Sequence, residues 1–130
     1  MTLRLLLDTH ALLWWFSGDR GLSTRARRAM ARPDNEIVVS AASAWEIATK
    51  QRLGKLPGIE LLIDDLPAWL ENEGFTTLPI RLDHALRAGA LPGPMRDPFN
   101  RMLIAQAAIE DLPLVSNETS FEHYGIKRLW

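Results

Sequence analysis

Cysteine is absent from the sequence, which excludes disulfides, thiolate zinc sites and cysteine nucleophiles together. An excess of either charge is also missing. Fifteen basic against 16 acidic residues leave a net charge of −1, so nothing draws the whole molecule to nucleic acid and any such binding needs a local patch. Long apolar runs are lacking. The longest, Ala11 to Phe16, falls far short of the roughly 20 residues a membrane span requires. No basic segment precedes a longer apolar stretch, so no signal peptide and a cytoplasmic location are expected. What remains is 130 residues, 47% hydrophobic and 24% charged, the balance of one globular domain over residues 1–130.

Short apolar strands alternate with longer helical patterns. Leu3–Leu7 reads as a strand buried on both faces and cut off by Asp8. Helices are expected over Thr9–Phe16, from an N-cap at Ser23 to Arg32, and over Ala41–Leu53 up to Gly54. Asp64 or Asp65 is expected to cap another, with Pro67 in its first turn and Gly74 at its end. Asp83–Ala90 reads as a short helix, and Asp97-Pro98 opens the longest, reaching about Asp111. Ile37–Val39, Phe75–Ile80, Leu114–Ser116 and Ile126–Leu129 read as the remaining strands. Alternation without hairpin signals predicts a three-layer α/β/α fold around a parallel sheet of four to five strands.

In such sheets function gathers at the carboxyl ends of the strands, where strand order reverses. Asp8 closes the first strand, Glu118 follows the fourth, and Asp97 begins the longest helix. Glu46 sits inside an otherwise apolar helix, which places it at a helix edge or in a cleft. Each acid has a bland reading. Asp8 serves as a turn residue, Asp97 and Glu118 as helix caps, and Glu46 as half of an i,i+4 pair with Lys50. Together they say more. Carboxylates about 5 Å apart repel by roughly 3 kcal/mol per pair at an effective dielectric of 20, a load that a cation would relieve. Oxygen ligands without cysteine point to Mg²⁺ or Mn²⁺, and such ions support in-line displacement at phosphorus. Metal-dependent phosphodiester hydrolysis is the resulting expectation.

The blocks Leu-Leu-Leu-Asp8-Thr9-His10, Ala-Trp45-Glu46-Ile, Asp97-Pro98-Phe99-Asn100-Arg101 and Leu-Val-Ser116-Asn117-Glu118 resemble the PIN domain of VapC-type toxins, in order and along the whole chain. The resemblance implies a metal-dependent endoribonuclease using Mg²⁺ or Mn²⁺, a cognate antitoxin partner, homodimers within the complex, and transfer RNA or another structured RNA as substrate. By position it makes Asp8, Glu46, Asp97 and Glu118 the acidic, metal-holding quartet, with Thr9, Asn100 and Ser116 orienting them. Asn100 departs from the family's usual aspartate, so a catalytically weakened protein that binds RNA or antitoxin is the alternative. Mutual repulsion is expected to raise the carboxylate pKa values.

Other readings fit less well. A haloacid-dehalogenase-type phosphatase needs a second aspartate where His10 stands. A receiver domain needs an acidic pair after the first strand, and a dinucleotide-binding domain needs Gly-x-Gly-x-x-Gly there. Arg25, Arg28 and Arg32 fall on one helical stripe and, with Arg96 and Arg101, are candidate RNA contacts, the bland reading being a solvated face. His10 and His84 read as surface or hydrogen-bonding residues. Leu12–Phe16 would carry apolar side chains right around their helix, so Trp14 and Trp15 are expected to meet either a partner or a neighbouring loop.

Overall fold

A computed structural model describes residues 2–130. Strand β1 (Arg4–Leu7) buries its three leucines almost completely and ends at Asp8. Asp8 turns the chain into helix α1 (Thr9–Ser17), its Oδ1 accepting the Ala11 N–H at 2.7 Å, and Gly18 closes that helix at φ 69°. Ser23 caps α2 (Thr24–Ala31) through the Ala26 N–H. Strand β2 (Glu36–Ser40) runs straight into α3 (Ala41–Arg52), capped by the Ser40 hydroxyl. Then come α4 (Glu60–Asp64), α5 (Leu66–Glu73), β3 (Thr76–Leu78), α6 (Leu82–Ala90) and α7 (Pro98–Glu110). Strand β4 (Leu114–Val115), a 3₁₀ helix (Thr119–Tyr124) and β5 (Arg128–Leu129) finish the chain.

The five strands form one sheet in the order β3-β2-β1-β4-β5, with every pairing parallel. From β1 the chain winds outward through β2 to β3, then recrosses to β4 and β5. Strand order therefore reverses between β1 and β4. Strand periodicity sorts the core into two faces. Leu5, Leu7, Ile37, Val39 and Val115 point to one side, against α1, α2, α5 and Ile47 of α3. Leu6, Val38 and Leu114 point to the other, against Leu103, Ile104 and Ala107 of α7, over which α6 lies. This is the expected three-layer architecture, with five strands.

Several local expectations need correction. The third strand is shorter than Phe75–Ile80, because Pro79 has no N–H to continue the ladder. Helix α4 was not expected; its five residues are too few to show a helical period. Asp65 stands at the start of α5 but takes no cap hydrogen bond, and Asp64 ends α4 instead. The apolar run of α1 is turned inward. Trp14 lies 5.9 Å from the Trp130 ring and Trp15 the same distance from Phe75, and both pack against the core. The large exposed apolar side chains sit elsewhere, Leu61 on α4 and Leu82 and Leu86 on α6 being the most open.

A buried polar thread ties the layers together. Ser40 donates to Gln106 Oε1 at 2.5 Å, and the Gln106 amide donates to the Pro79 carbonyl at 3.2 Å. Beside it, His84 Nδ1 accepts the Arg81 N–H while Nε2 meets Glu110 at 3.1 Å. This confirms His84 as a hydrogen-bonding residue rather than a surface one. The His84 and Arg81 hydrogen bonds hold the Glu110 carboxyl below its ordinary range. Gln106→Leu is expected to cost about 2–4 kcal/mol by orphaning the Ser40 hydroxyl and the Pro79 carbonyl, seen as a lower urea midpoint at unchanged slope. A wild-type midpoint would show the thread to be dispensable.

Candidate active site

Asp8 stands at the end of β1 and Glu118 just past the end of β4, on the two sides of the reversal point. Asp97 opens α7, and Glu46 lies in the second turn of α3. All four face one cleft of about 220 Å³, together with Thr9 and Asn100. Separated in sequence by up to 110 positions, these acids line one cleft because the parallel crossovers return the strand ends to the same edge of the sheet. Helices α1 and α7 also begin at this edge, where their N-terminal partial charges favour anions.

Each side chain is held differently. Asp97 Oδ1 accepts both the Phe99 and Asn100 N–H groups, at 2.8 and 3.2 Å, leaving Oδ2 outside the cap. Asp8 and Asp97 therefore both cap a helix and both line the cleft, so the bland reading of each holds without excluding the functional one. Glu118 differs. It stands just before the 3₁₀ helix, at the capping position, without its side chain capping it, accepts the Ser120 hydroxyl at 3.0 Å and is exposed. The Ser116 hydroxyl accepts the Glu118 N–H at 2.9 Å and also hydrogen-bonds Asp8, so it links the two ends of the site.

Glu46 is the most tightly held. It is only 3% exposed, with the Thr9 hydroxyl donating to Oε1 at 2.6 Å and the Lys50 ammonium on Oε2 at 2.5 Å. Thr9 also lies 3.1 Å from the Ser43 hydroxyl. The helix-edge reading of Glu46 is thus excluded in favour of the cleft, where Thr9 is hydrogen-bonded to it. Burial pushes the Asp8 carboxyl up; hydrogen bonds from Ser116 and Ala11 and the nearby His10 oppose this, and the Glu46 charge adds the least. Desolvation, not mutual repulsion, dominates at Asp8. That corrects the expected cause.

The basic candidates are not brought here. Arg25, Arg28 and Arg32 line a separate groove with Leu3 and Leu129, outside the acidic cleft. Arg96 is exposed near Tyr124, outside the cleft. Arg101 is not free to contact RNA through its guanidinium, which donates to the carbonyls of Ala88, Gly89, Leu91 and Met95. His10 is exposed at the rim and stands 5.5 Å from the Trp14 ring. Lys50, Ser43 and Asn117 were missed as parts of the site. The i,i+4 spacing of Lys50 from Glu46 was the available signal, but spacing alone does not tell a surface pair from a cleft pair.

The donor chemistry of the four acids and Asn100 fits a hard divalent cation, with carboxylate and amide oxygens and a buried carboxyl whose ionisation a cation would favour. As the side chains stand, no group of three or more acidic or histidine residues is placed to hold a metal ion among the described residues. Also among them, no helix is long and apolar enough to cross a membrane.

The chain is similar to known proteins at three levels. Ribonuclease VapC16 from Mycobacterium tuberculosis (strain ATCC 25618 / H37Rv) is 49% identical over 51 residues, which cover 39% of this chain and 35% of that relative's length. The fold matches that in a crystal structure of VapBC2 from Rickettsia felis bound to a promoter DNA fragment, at a TM-score of 0.70 and 14% identity, covering 98% of this chain and 100% of that one. It also matches VapBC-1 from nontypeable Haemophilus influenzae, at 0.67 and 15% identity, over 97% and 96% of the two chains. The profile described as PIN domain matches residues 5–127, nearly the whole chain, and together with the parallel sheet and its reversal point this places the chain in the PIN domain family.

Proposed function

We propose that the chain is a divalent-metal-dependent endoribonuclease, the toxin of a toxin–antitoxin pair. The convergence of Asp8, Glu46, Asp97 and Glu118 on one cleft at the sheet's reversal point carries this reading. A ribonuclease among the relatives and toxin–antitoxin assemblies among the fold's neighbours support it. Asp8, Asp97 and Glu118 would hold Mg²⁺ or Mn²⁺, with Glu46 completing the site. The cation supplies Lewis acidity for attack by water and neutralises charge at phosphorus.

The chain's own groups do the rest. Capping hydrogen bonds fix Asp8 and Asp97 toward the cleft, Thr9 and Lys50 fix Glu46, and Ser116 fixes Asp8 relative to Glu118. A cleft carboxylate accepts the proton of the attacking water. Arg25, Arg28, Arg32 and Arg96 contact phosphates away from the cut. Transfer RNA or another structured RNA is the proposed substrate. A cognate antitoxin and a second copy cover the exposed apolar side chains of α4 and α6, in the cytoplasm of the cell.

Water as nucleophile makes the 2′-hydroxyl unnecessary, so the fragments should carry 5′-phosphate and 3′-hydroxyl ends. Total cellular RNA incubated with antitoxin-free protein in Mn²⁺ or in chelator, with fragment ends mapped, tests this. Discrete metal-dependent products with those ends are expected, and 2′,3′-cyclic phosphates would refute the mechanism. Asn100 lines the cleft one turn from Asp97, where an aspartate would add a charge. RNA bound but uncut would favour the binding-only reading.

A further inference from the structure

Glu46 is a carboxylate with both oxygens already taken. Thr9 holds Oε1 and Lys50 holds Oε2. The Lys50 side chain is one-third exposed whereas Glu46 is buried, so the lysine reaches into the cleft mouth from its helix and ends on a desolvated anion. It is also the single lysine or arginine among the residues lining the cleft. Glu46 precedes Lys50 by one helical turn, the favourable order for such a pair. On a solvated helix face an i,i+4 pair contributes little, but removing one partner of a buried pair is far costlier. The pair therefore holds the Glu46 side chain in place and supplies the cation beside it. A divalent cation entering the cleft would do the same work on the same carboxylate.

We propose that Lys50 is a built-in counter-cation that competes with the divalent ion for Glu46 and, once displaced, contacts an RNA phosphate at the cleft. The inference rests on the nuclease reading and deepens it by assigning a phosphate-contacting residue. Two opposite effects follow from one side chain. While paired with Glu46, Lys50 weakens metal binding; when released, it strengthens RNA binding. A lysine that merely braced Glu46 would help metal binding, so the sign separates the two roles.

The experiment compares the unaltered chain with Lys50→Met, which keeps the stem, and Lys50→Arg, which keeps the charge. Mn²⁺ affinity is measured by calorimetry without RNA. Affinity for a labelled twelve-nucleotide uridine RNA is measured in Ca²⁺ across a salt series. Lys50→Met is expected to bind Mn²⁺ about 3–10-fold more tightly and RNA about 3–10-fold more weakly, with a log–log salt slope shallower by about one. Lys50→Arg should restore the slope and return Mn²⁺ affinity to near that of the unaltered chain. Unchanged or weaker Mn²⁺ binding in Lys50→Met, or an unchanged RNA slope, would overturn the proposal; should that variant not fold, the same readings on Lys50→Gln decide. Failure of the unaltered chain to bind Mn²⁺ at all would instead overturn the nuclease reading beneath it.

Discussion

Asp8→Asn is expected to lower RNA cleavage about 1,000-fold while raising the melting temperature of the metal-free chain. The first effect reflects the loss of one anionic ligand, worth about 4 kcal/mol of barrier at that fold-change. The second follows from burial. Asp8 is almost fully enclosed, and its carboxyl is pushed above the ordinary 3.8 chiefly by desolvation. The folded chain therefore binds more protons here than the unfolded chain between 3.8 and the raised value, and its stability falls as pH rises through that window. At neutral pH the full penalty is present. Asparagine removes it, and because asparagine caps helices as well as aspartate does, the Ala11 hydrogen bond survives. Thermal melts in chelator should show the variant a few degrees higher at pH 7 and the gap shrinking toward pH 4. Adding Mn²⁺ should stabilise the unaltered chain by about 2.7 kcal/mol at a hundred times its dissociation constant and leave the variant nearly where it was. A variant that melts lower in chelator at pH 7 would show that Asp8 supports the fold as an anion.

Arg101→Met is expected to cost about 3 kcal/mol and most of the activity, without changing the salt dependence of RNA binding. The Arg101 guanidinium donates to Ala88 and Gly89 near the end of α6 and to Leu91 and Met95 in the following loop, at 2.6 to 3.3 Å. That loop leads into Asp97, so the same clamp that closes it positions the acid. Hydrogen bonds from a charged donor are worth about 1.5–3 kcal/mol each when strong, and solvent recovers part of what several freed carbonyls lose. Lysine should restore little, since one ammonium cannot reproduce a planar fork. Urea unfolding, with RNA affinity measured across a salt series, checks both halves. A shallower salt slope would return Arg101 to the RNA-contacting set.

The features legible in the sequence were those that a few neighbouring residues decide. Leu5-Leu6-Leu7 followed by Asp8 marks a doubly covered strand and its carboxyl end, and Asp97-Pro98 marks a helix start without any tertiary knowledge. From these the parallel order followed, and with it the prospect of one acidic edge. What escaped depends on contacts across the chain. Arg101 looks like a free cation until the carbonyls of α6 and the loop are seen around it. Trp14 and Trp15 look surplus to one sheet face because the chain's last residue and Phe75 are not visible as their cover. Lys50 reads as half of a surface pair because nothing local records that Glu46 is buried and hydrogen-bonded to Thr9.

Asp8 and Asp97 each spend one carboxylate oxygen on starting a helix and present the residue to the cleft, whereas Glu118 caps nothing. The three acids are therefore filtered differently when the chain varies. At positions 8 and 97 a replacement must satisfy the fold and, under the proposed function, the chemistry as well, and the short side chain that reaches its own backbone cannot be lengthened to glutamate without surrendering the cap. At position 118 no cap is at stake, and under the proposed metal-holding role carboxylates of either length would serve. A library of variants sorted only for soluble expression would reject glutamate at 8 and 97 yet pass over 118, exposing which acids serve the fold before any RNA is added.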